Sequence, residues 1–246
     1  MELLLVGVVH RDPSGYEALR RLLENLRPEA VCLELSPLGL LWRERNGPRL
    51  MRRLERLASG LPPGGQNHRE LMLIREALAL PFEYRACRDH GLEEGIAVHL
   101  IDLNRLSRES LSHYEAEIVT AANLRALAAR PGLPLGQVME RARARARRCI
   151  LEGFSPWDPE RRTWDEEPAR RRERFLACRV REAGRRHGRV LYVGGWVHLV
   201  PDAAGRSLAC LLGDLTPRRV LLGYGELPAR GPVGGRVLDM RPGPVA

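Results

Sequence analysis

Two kinds of hydrophobic pattern alternate along this chain. Short unbroken apolar runs end abruptly in charged or turn-forming residues. Between them lie longer stretches in which apolar residues recur every three or four positions. The first kind reads as buried strand and the second as amphipathic helix. Leu3–Val9, Ala30–Leu35, Ile96–Ile101, the segment starting at Val190 and Val220–Tyr224 belong to the first kind, and Val237–Met240 reads as a last edge strand. Pro13 and Ser14 open a helix whose face carries Tyr16, Leu19, Leu22, Leu23 and Leu26, and Pro28 stops it. Further helices are predicted over Leu38–Leu57, Leu71–Leu80 (capped by Asn67), Pro81–Glu94, Ser107–Arg130, Leu135–Leu151, Pro168–His187 and Ala203–Leu212. Loops fall at Ser59–Gly65 and Gly153–Trp164, both rich in turn-forming residues.

Strands separated by helices predict right-handed crossovers and parallel pairing. The expected fold is α/β: a mixed, mainly parallel central sheet flanked by helices, in one domain over 1–246. The helices of roughly 107–188 form an insertion between the third strand and the one starting at Val190. At 246 residues the chain is long enough for a sizeable core.

The strand ends carry the candidate chemistry. The first strand finishes at His10, the second around Glu34 and the third at Asp102. The strand from Val190 runs through Gly194 and Gly195 to His198. Two of these ends share a Gly-x-x-His spacing, Gly7 to His10 and Gly195 to His198. In an open parallel sheet, ligands bind outside the carboxyl ends of the strands. Two imidazoles and two carboxylates there are the groups that hold a divalent metal or activate a water. Each has a plainer reading alone: a surface histidine, a turn-capping aspartate, a glutamate salt-bridged to an arginine. Glu34 sits in an apolar strand, and a buried glutamate needs a partner.

Composition narrows the field. Hydrophobic residues make up 44% of the chain and charged residues 29%, as in ordinary globular proteins. The net charge is +9, and every basic residue is arginine because the chain has no lysine. That excludes Schiff-base lysine chemistry and a P-loop lysine. The run Arg141–Arg148 is the strongest nucleic-acid feature, but alternate arginines on a helix fan out by about 200° per step and form no stripe. No aromatic residues interleave with them, so a solvated helix face is the expectation. Five scattered cysteines without a C-x-x-C argue against a disulfide framework or a thiolate zinc site, with Cys32 and Cys178 expected in the core. The apolar N-terminal run is too short for a signal peptide, and no segment has the roughly 18 apolar residues of a membrane span. A reducing cytoplasm is the expected compartment. An apolar edge at Val220–Tyr224 leaves a homodimer open.

The motifs together resemble the TraB/PrgY/GumN family, which is related to the Tiki proteases and to the erythromycin-esterase/ChaN-like fold. The resemblance is carried by Gly7-Val-Val-His10, Glu34 in VCLELSP and Gly195-Trp-Val-His198. The segment PFEYRACRDHGLEEGIAVHLIDLNRLS (81–107) and Glu173-Arg174-Phe175-Leu176-Ala177 extend it to roughly residues 3–224. The chain departs from the pattern after Glu34, where Ser36-Pro37-Leu38 precedes Arg43, and at Ile101-Asp102-Leu103-Asn104. The resemblance implies a pocket built on His10, Glu34 and His198, with Glu83, Arg85, Asp102 and Arg174 lining or supporting it. In the Tiki branch such residues serve metal-dependent peptide hydrolysis, and in the esterase branch a histidine acts as base without metal.

The leading expectation is a hydrolase of peptide or ester bonds. With a divalent metal ion, His10, Glu34 and His198 are its ligands. Without one, Glu34 orients His10 toward water, with Arg85 and Arg174 supplying electropositive surroundings. The alternative is a non-catalytic protein that sequesters a peptide or a small anionic ligand.

Overall fold

The computed structural model describes residues 1–154, 166–202 and 204–226. The predicted strand at Val237–Met240 and most of the loop Gly153–Trp164 lie outside the described residues. Strand β1 (Glu2–Val8) leads through helix α1 (Gly15–Leu26) to β2 (Ala30–Leu33). Helices α2 (Pro37–Ala58), α3 (Arg69–Leu78) and α4 (Phe82–Glu94) precede β3 (Ala97–Leu100). Helices α5 (Asn104–Leu111), α6 (Ala121–Ala128), α7 (Leu135–Glu152) and α8 (Glu167–Gly184) separate β3 from β4 (Arg189–Gly195). The short helix α9 (Leu208–Leu211), β5 (Arg218–Leu221) and a two-residue β6 (Gly225–Glu226) follow.

The strand order is β3-β2-β4-β1-β5-β6, parallel throughout except for β6 against β5. The expected α/β architecture is thus present. The late strand β4 inserts between β1 and β2, so the two Gly-x-x-His motifs run side by side. Gly7 pairs with Gly194, and Val8 with Gly195. This staggers the motifs by one residue and places His10 and His198 at the same end of the sheet.

Alternation along the strands builds two cores. Leu4, Val6 and Val8 face α1 and α4 through Leu19, Leu23, Phe82 and Ala86. Leu3, Leu5 and Tyr192 face α7 and α8 through Ala146, Ile150, Leu176 and Val180. A third cluster lies off the sheet, where Leu50 and Leu54 of α2 pack on Leu71 and Leu78 of α3 and Leu124 of α6. The helices between β3 and β4 therefore divide: α5 and α6 join α2 and α3, while α7 and α8 cover the sheet.

Several expected boundaries move. The helix read over Ser107–Arg130 is broken by a π-helical turn at Tyr114–Ile118, and Thr120 starts α6 by accepting from Asn123 N. The α3 cap is His68, whose Nδ1 accepts from Glu70 N at 3.4 Å, in place of Asn67. The helix read from Ala203 is confined to Leu208–Leu211. Val220–Tyr224 is no free edge, because β5 stops at Leu221 and pairs with β6. Cys178 is exposed on the outer side of α8, while Cys32 is buried as expected.

The arginine run of α7 has a definite structural use. Arg143 makes a bidentate pair with buried Asp12 (Nε to Oδ2 and Nη2 to Oδ1, both 2.7 Å) and donates to Ser14 Oγ at 2.6 Å. This anchors the turn that carries His10 and Arg11. Arg145 lies over the Trp196 ring at 5.9 Å. Arg143→Ala leaves Asp12 with only its Ser14 contacts and is expected to cost about 1–3 kcal/mol. A thermal melt reads this as a drop of roughly 2–4 °C per kcal/mol. Arg143→Lys recovers part of the loss because an ammonium cannot reproduce the bidentate fork.

Candidate functional site

The parallel strands bring their carboxyl ends to one rim, and the four ionisable groups read from the strand ends all lie on it. Glu34 follows β2 directly. Its backbone N–H donates to the Val193 carbonyl at 2.9 Å, which fixes it beside β4. Its carboxylate is the most heavily contacted group of the site. Oε1 accepts from Arg172 Nη2 at 2.5 Å and lies 3.0 Å from His198 Nε2. Oε2 accepts from Gly195 N at 2.5 Å and from Tyr192 Oη at 3.1 Å. Burial alone would raise the Glu34 pKa, but the charges of His198 and Arg172 outweigh it and hold the group well below the usual carboxylate range.

The glycines after β4 make room for this carboxylate. A Cβ on Gly194 would stand 2.2 Å from Tyr192 Oη and 2.4 Å from Glu34 Oε2, so any side chain there displaces the pair. A Cβ on Gly195 would meet His10 Nε2 at 2.9 Å. The space in front of the two glycines is filled by the site itself.

His198 stands behind Glu34 on a 3-10 turn (Trp196–Leu199) and is 2% exposed. Its Nδ1 is 2.5 Å from Glu173 Oε1, while Glu173 Oε2 accepts from Leu208 N at 2.6 Å. Nε2 faces Glu34 in an ion-pair contact without hydrogen-bond alignment. Desolvation opposes a charge on this ring, yet Glu173 and Glu34 together push its pKa up to about 10. His198 is therefore an imidazolium clamped between two carboxylates. It lies outside the lining of the adjacent cleft.

Arg172 completes the inner network. Its Nε and Nη2 grip Asp102 at 2.9 and 2.7 Å while Nη2 also reaches Glu34. Asp102 additionally accepts from Leu103 N at 2.8 Å, just before α5, whose N-cap is Leu103 without a side-chain cap, so Asp102 is tied to Arg172 and to the turn but does not cap the helix.

His10 is different in kind. About half of its side chain is exposed, and it lines a cleft of about 990 Å³ together with Glu34, Glu83, Asp102 and Arg172. Its Nδ1 pairs with buried Glu83 Oε1 at 2.8 Å. With Nδ1 donating to this carboxylate, Nε2 has no hydrogen-bond partner among the described residues and lies beside Gly195. Desolvation lowers the His10 pKa, but the hydrogen bond and charge of Glu83, with Glu34 adding to them, outweigh that and raise it.

Two expected residues lie elsewhere, for one geometric reason. Arg85 follows Glu83 by two positions on α4, a rotation of about 200°. It stacks over Tyr16 of α1 at 5.3 Å, away from the cleft. Arg174 follows Arg172 by two positions on α8 and pairs at the surface with Glu167. The resemblance implies Arg174 as a lining or supporting residue, whereas the α8 residues that reach the network are Arg172 and Glu173. A signal for Tyr192 was present: a hydroxyl at the centre of an apolar strand must find a partner. Glu83, expected as a lining residue, is the group that orients His10, a task first assigned to Glu34.

The divalent metal implied by the resemblance needs lone pairs from His10, Glu34 and His198 directed at one point. The donor set does not fit as arranged. A carboxylate stands at each nitrogen of His198, and the two oxygens of Glu34 already accept three hydrogen bonds, from Arg172, Tyr192 and the Gly195 amide, with His198 Nε2 against them as a fourth contact. Among the described residues no group of three or more His, Cys, Asp or Glu side chains is arranged to hold a metal ion. No helix among them is long and apolar enough to cross a membrane. Comparisons with protein-family models, curated proteins and solved structures return no match.

The raised His198 pKa makes a signed prediction. An unfolded histidine titrates near 6.5, so the stabilisation is fully present below that pH and is lost as pH rises through about 10. Urea denaturation across that window is expected to show wild-type stability falling relative to His198→Gln. Near neutral pH the variant is less stable by about 3–5 kcal/mol, because two buried carboxylates lose their shared cation. A stability difference that stays constant from pH 6 to pH 10.5 overturns the imidazolium assignment.

Proposed function

We propose that this chain is a hydrolase of peptide or ester bonds, related to the TraB-like proteins, in which His10 is the general base. The observation that supports this most directly is the His10–Glu83 pair at 2.8 Å on the wall of a cleft of about 990 Å³. A cleft of that size accepts a ligand of several residues. Glu83 fixes the tautomer, and Nε2 takes a proton from a water that attacks the substrate carbonyl. The tetrahedral intermediate then collapses, and His10 returns that proton to the leaving amine or alkoxide. This is the base-and-orienter pairing of acyl-transfer sites with water as the nucleophile. The Glu34–Arg172–His198 network holds the strand ends that carry the base, and the negative charge of Glu34 favours the imidazolium formed during the reaction. The step is assigned to residues of this chain without a metal.

A panel of chromogenic esters and fluorogenic peptides tests the reading. His10→Ala is expected to reduce kcat/KM by about 10²–10⁴-fold, the usual contribution of a positioned base. It should fold normally, since the ring is half exposed. Activity should survive exhaustive chelation. The rate should rise with pH through a value above the ordinary histidine pKa, because the base works only when deprotonated. Glu83→Gln removes the carboxylate that raises that pKa and should move this limb to lower pH while lowering the plateau. Turnover that is unaffected by His10→Ala sinks the proposal, and ligand binding without any turnover returns the cleft to the sequestering reading.

A further inference from the structure

The inner wall of the cleft is electrostatically closed: Arg172 is committed to Glu34 and Asp102, and His10 to Glu83. The outer wall is not. Arg43 lines the cleft from α2, and its hydrogen bond goes from Nη1 to the Gly39 carbonyl of its own helix at 3.0 Å. Its Nε is buried without a partner. Arg11 also lines the cleft, and its Nη2 reaches the Tyr114 hydroxyl at 3.4 Å. Neither guanidinium has a carboxylate within ion-pair distance among the described residues. Burial is the main influence lowering the Arg43 pKa; the Arg11 charge adds to it, while Tyr114 and Glu83 oppose it.

This arrangement costs stability. A buried guanidinium nitrogen without an acceptor forfeits its solvation. Arg11, exposed on the same cleft, adds backbone strain, since it is a non-glycine residue at φ 63° immediately after His10. Such conformations concentrate at functional sites. A bound anion would relieve the desolvation of Arg43 and give both guanidinium groups an acceptor. The planar fork of arginine matches a carboxylate bidentately. Glu76, Glu83 and Glu109 also line the cleft, so a compact dianion would be repelled, whereas a single carboxylate carried on a longer molecule would not.

We propose that Arg43 and Arg11 form a carboxylate-binding subsite on the outer wall of the cleft, so that its ligand is an anionic peptide or a similar chain bearing one carboxylate. Arg11 directly follows His10, and both line the cleft with Glu83, which places the subsite at the His10–Glu83 end. There it holds the carboxylate near the base. The subsite rests on the reading that this cleft is where the ligand binds, but not on turnover.

The test is therefore a binding measurement in His10→Ala, which separates affinity from hydrolysis. One fluorescent tetrapeptide is prepared in three forms: free C-terminus, amidated, and amidated with a terminal glutamate. The free-carboxylate form is expected to bind at least tenfold more tightly than the amidated one, the lower end for hydrogen bonds to a charged group. The third form shows whether a side-chain carboxylate serves equally well. Arg43→Leu should remove the preference, and Arg43→Lys should restore part of it. Arg11→Asn tests the second cation with a residue that tolerates the left-handed backbone and should weaken the preference even if Arg43→Leu folds poorly. Inorganic phosphate should compete weakly. Equal binding of the free and amidated peptides, or a preference unchanged in both Arg43→Leu and Arg11→Asn, overturns the subsite. Failure of the hydrolase reading alone would appear as this preference persisting in a protein without turnover.

Discussion

The site depends on one buried carboxylate. Glu34 is placed where a glutamate cannot remain ionised unaided, and four groups from separate parts of the chain converge to keep it so: three hydrogen-bond donors, Arg172 from α8, the Tyr192 hydroxyl and the Gly195 amide, and the charge of His198 from the turn after β4. Each of these groups imposes a condition on the fold. Tyr192 and Gly195 reach Glu34 only because β4 lies beside β2, the position it takes between β2 and β1 in the sheet. Gly194 must lack a side chain because the carboxylate and the phenol occupy that volume. Helix α8 must present two successive residues inward, Arg172 to Glu34 and Glu173 to His198.

Two charge systems share the rim but differ in solvation. The inner one is sealed: His198 is 2% exposed, and its charge is balanced on both sides. Groups so tied hold geometry and do not exchange protons readily. The outer system, His10 with Glu83, uses the same pairing of imidazole and carboxylate but sits on a half-exposed ring that lines the cleft and leaves one ring nitrogen without a partner among the described residues. The difference follows from chain position. His10 lies two residues beyond β1 on a turn pinned by Asp12 and Arg143, whereas His198 lies in a turn folded back under α8 and α9. Equal spacing from a glycine therefore does not mean equal roles.

The strand ends were the legible part of the sequence. An apolar run closed by a polar residue reports both the strand and the rim position of that residue, and His10, Glu34, Asp102 and His198 all came out at the carboxyl ends of parallel strands. Helical register was less legible. Arg85 and Arg174 were each expected at the site, and each is two residues from the group that is there, Glu83 in one case and Arg172 in the other. In an arginine-rich amphipathic helix many polar positions look alike, and only tertiary packing decides which one turns inward. The same limit explains the break between α5 and α6, which no glycine or proline marks. It also explains β5, whose apolar residues look like an exposed edge until the two-residue β6 is paired beside it.

The absence of lysine acquires a structural meaning in this context. Arg172 and Arg143 make the same contact: Nε and Nη2 on the two oxygens of an aspartate, with Nη2 shared by a third acceptor, Glu34 in one case and Ser14 in the other. A lysine ammonium is a compact, strongly hydrated point charge and cannot span that geometry. One guanidinium thus fixes the relation between the ends of β2 and β3, and the other fixes the turn after β1 to α7. The same planar geometry in Arg43, with no carboxylate at ion-pair distance among the described residues, is what sets the outer wall apart from these two filled forks.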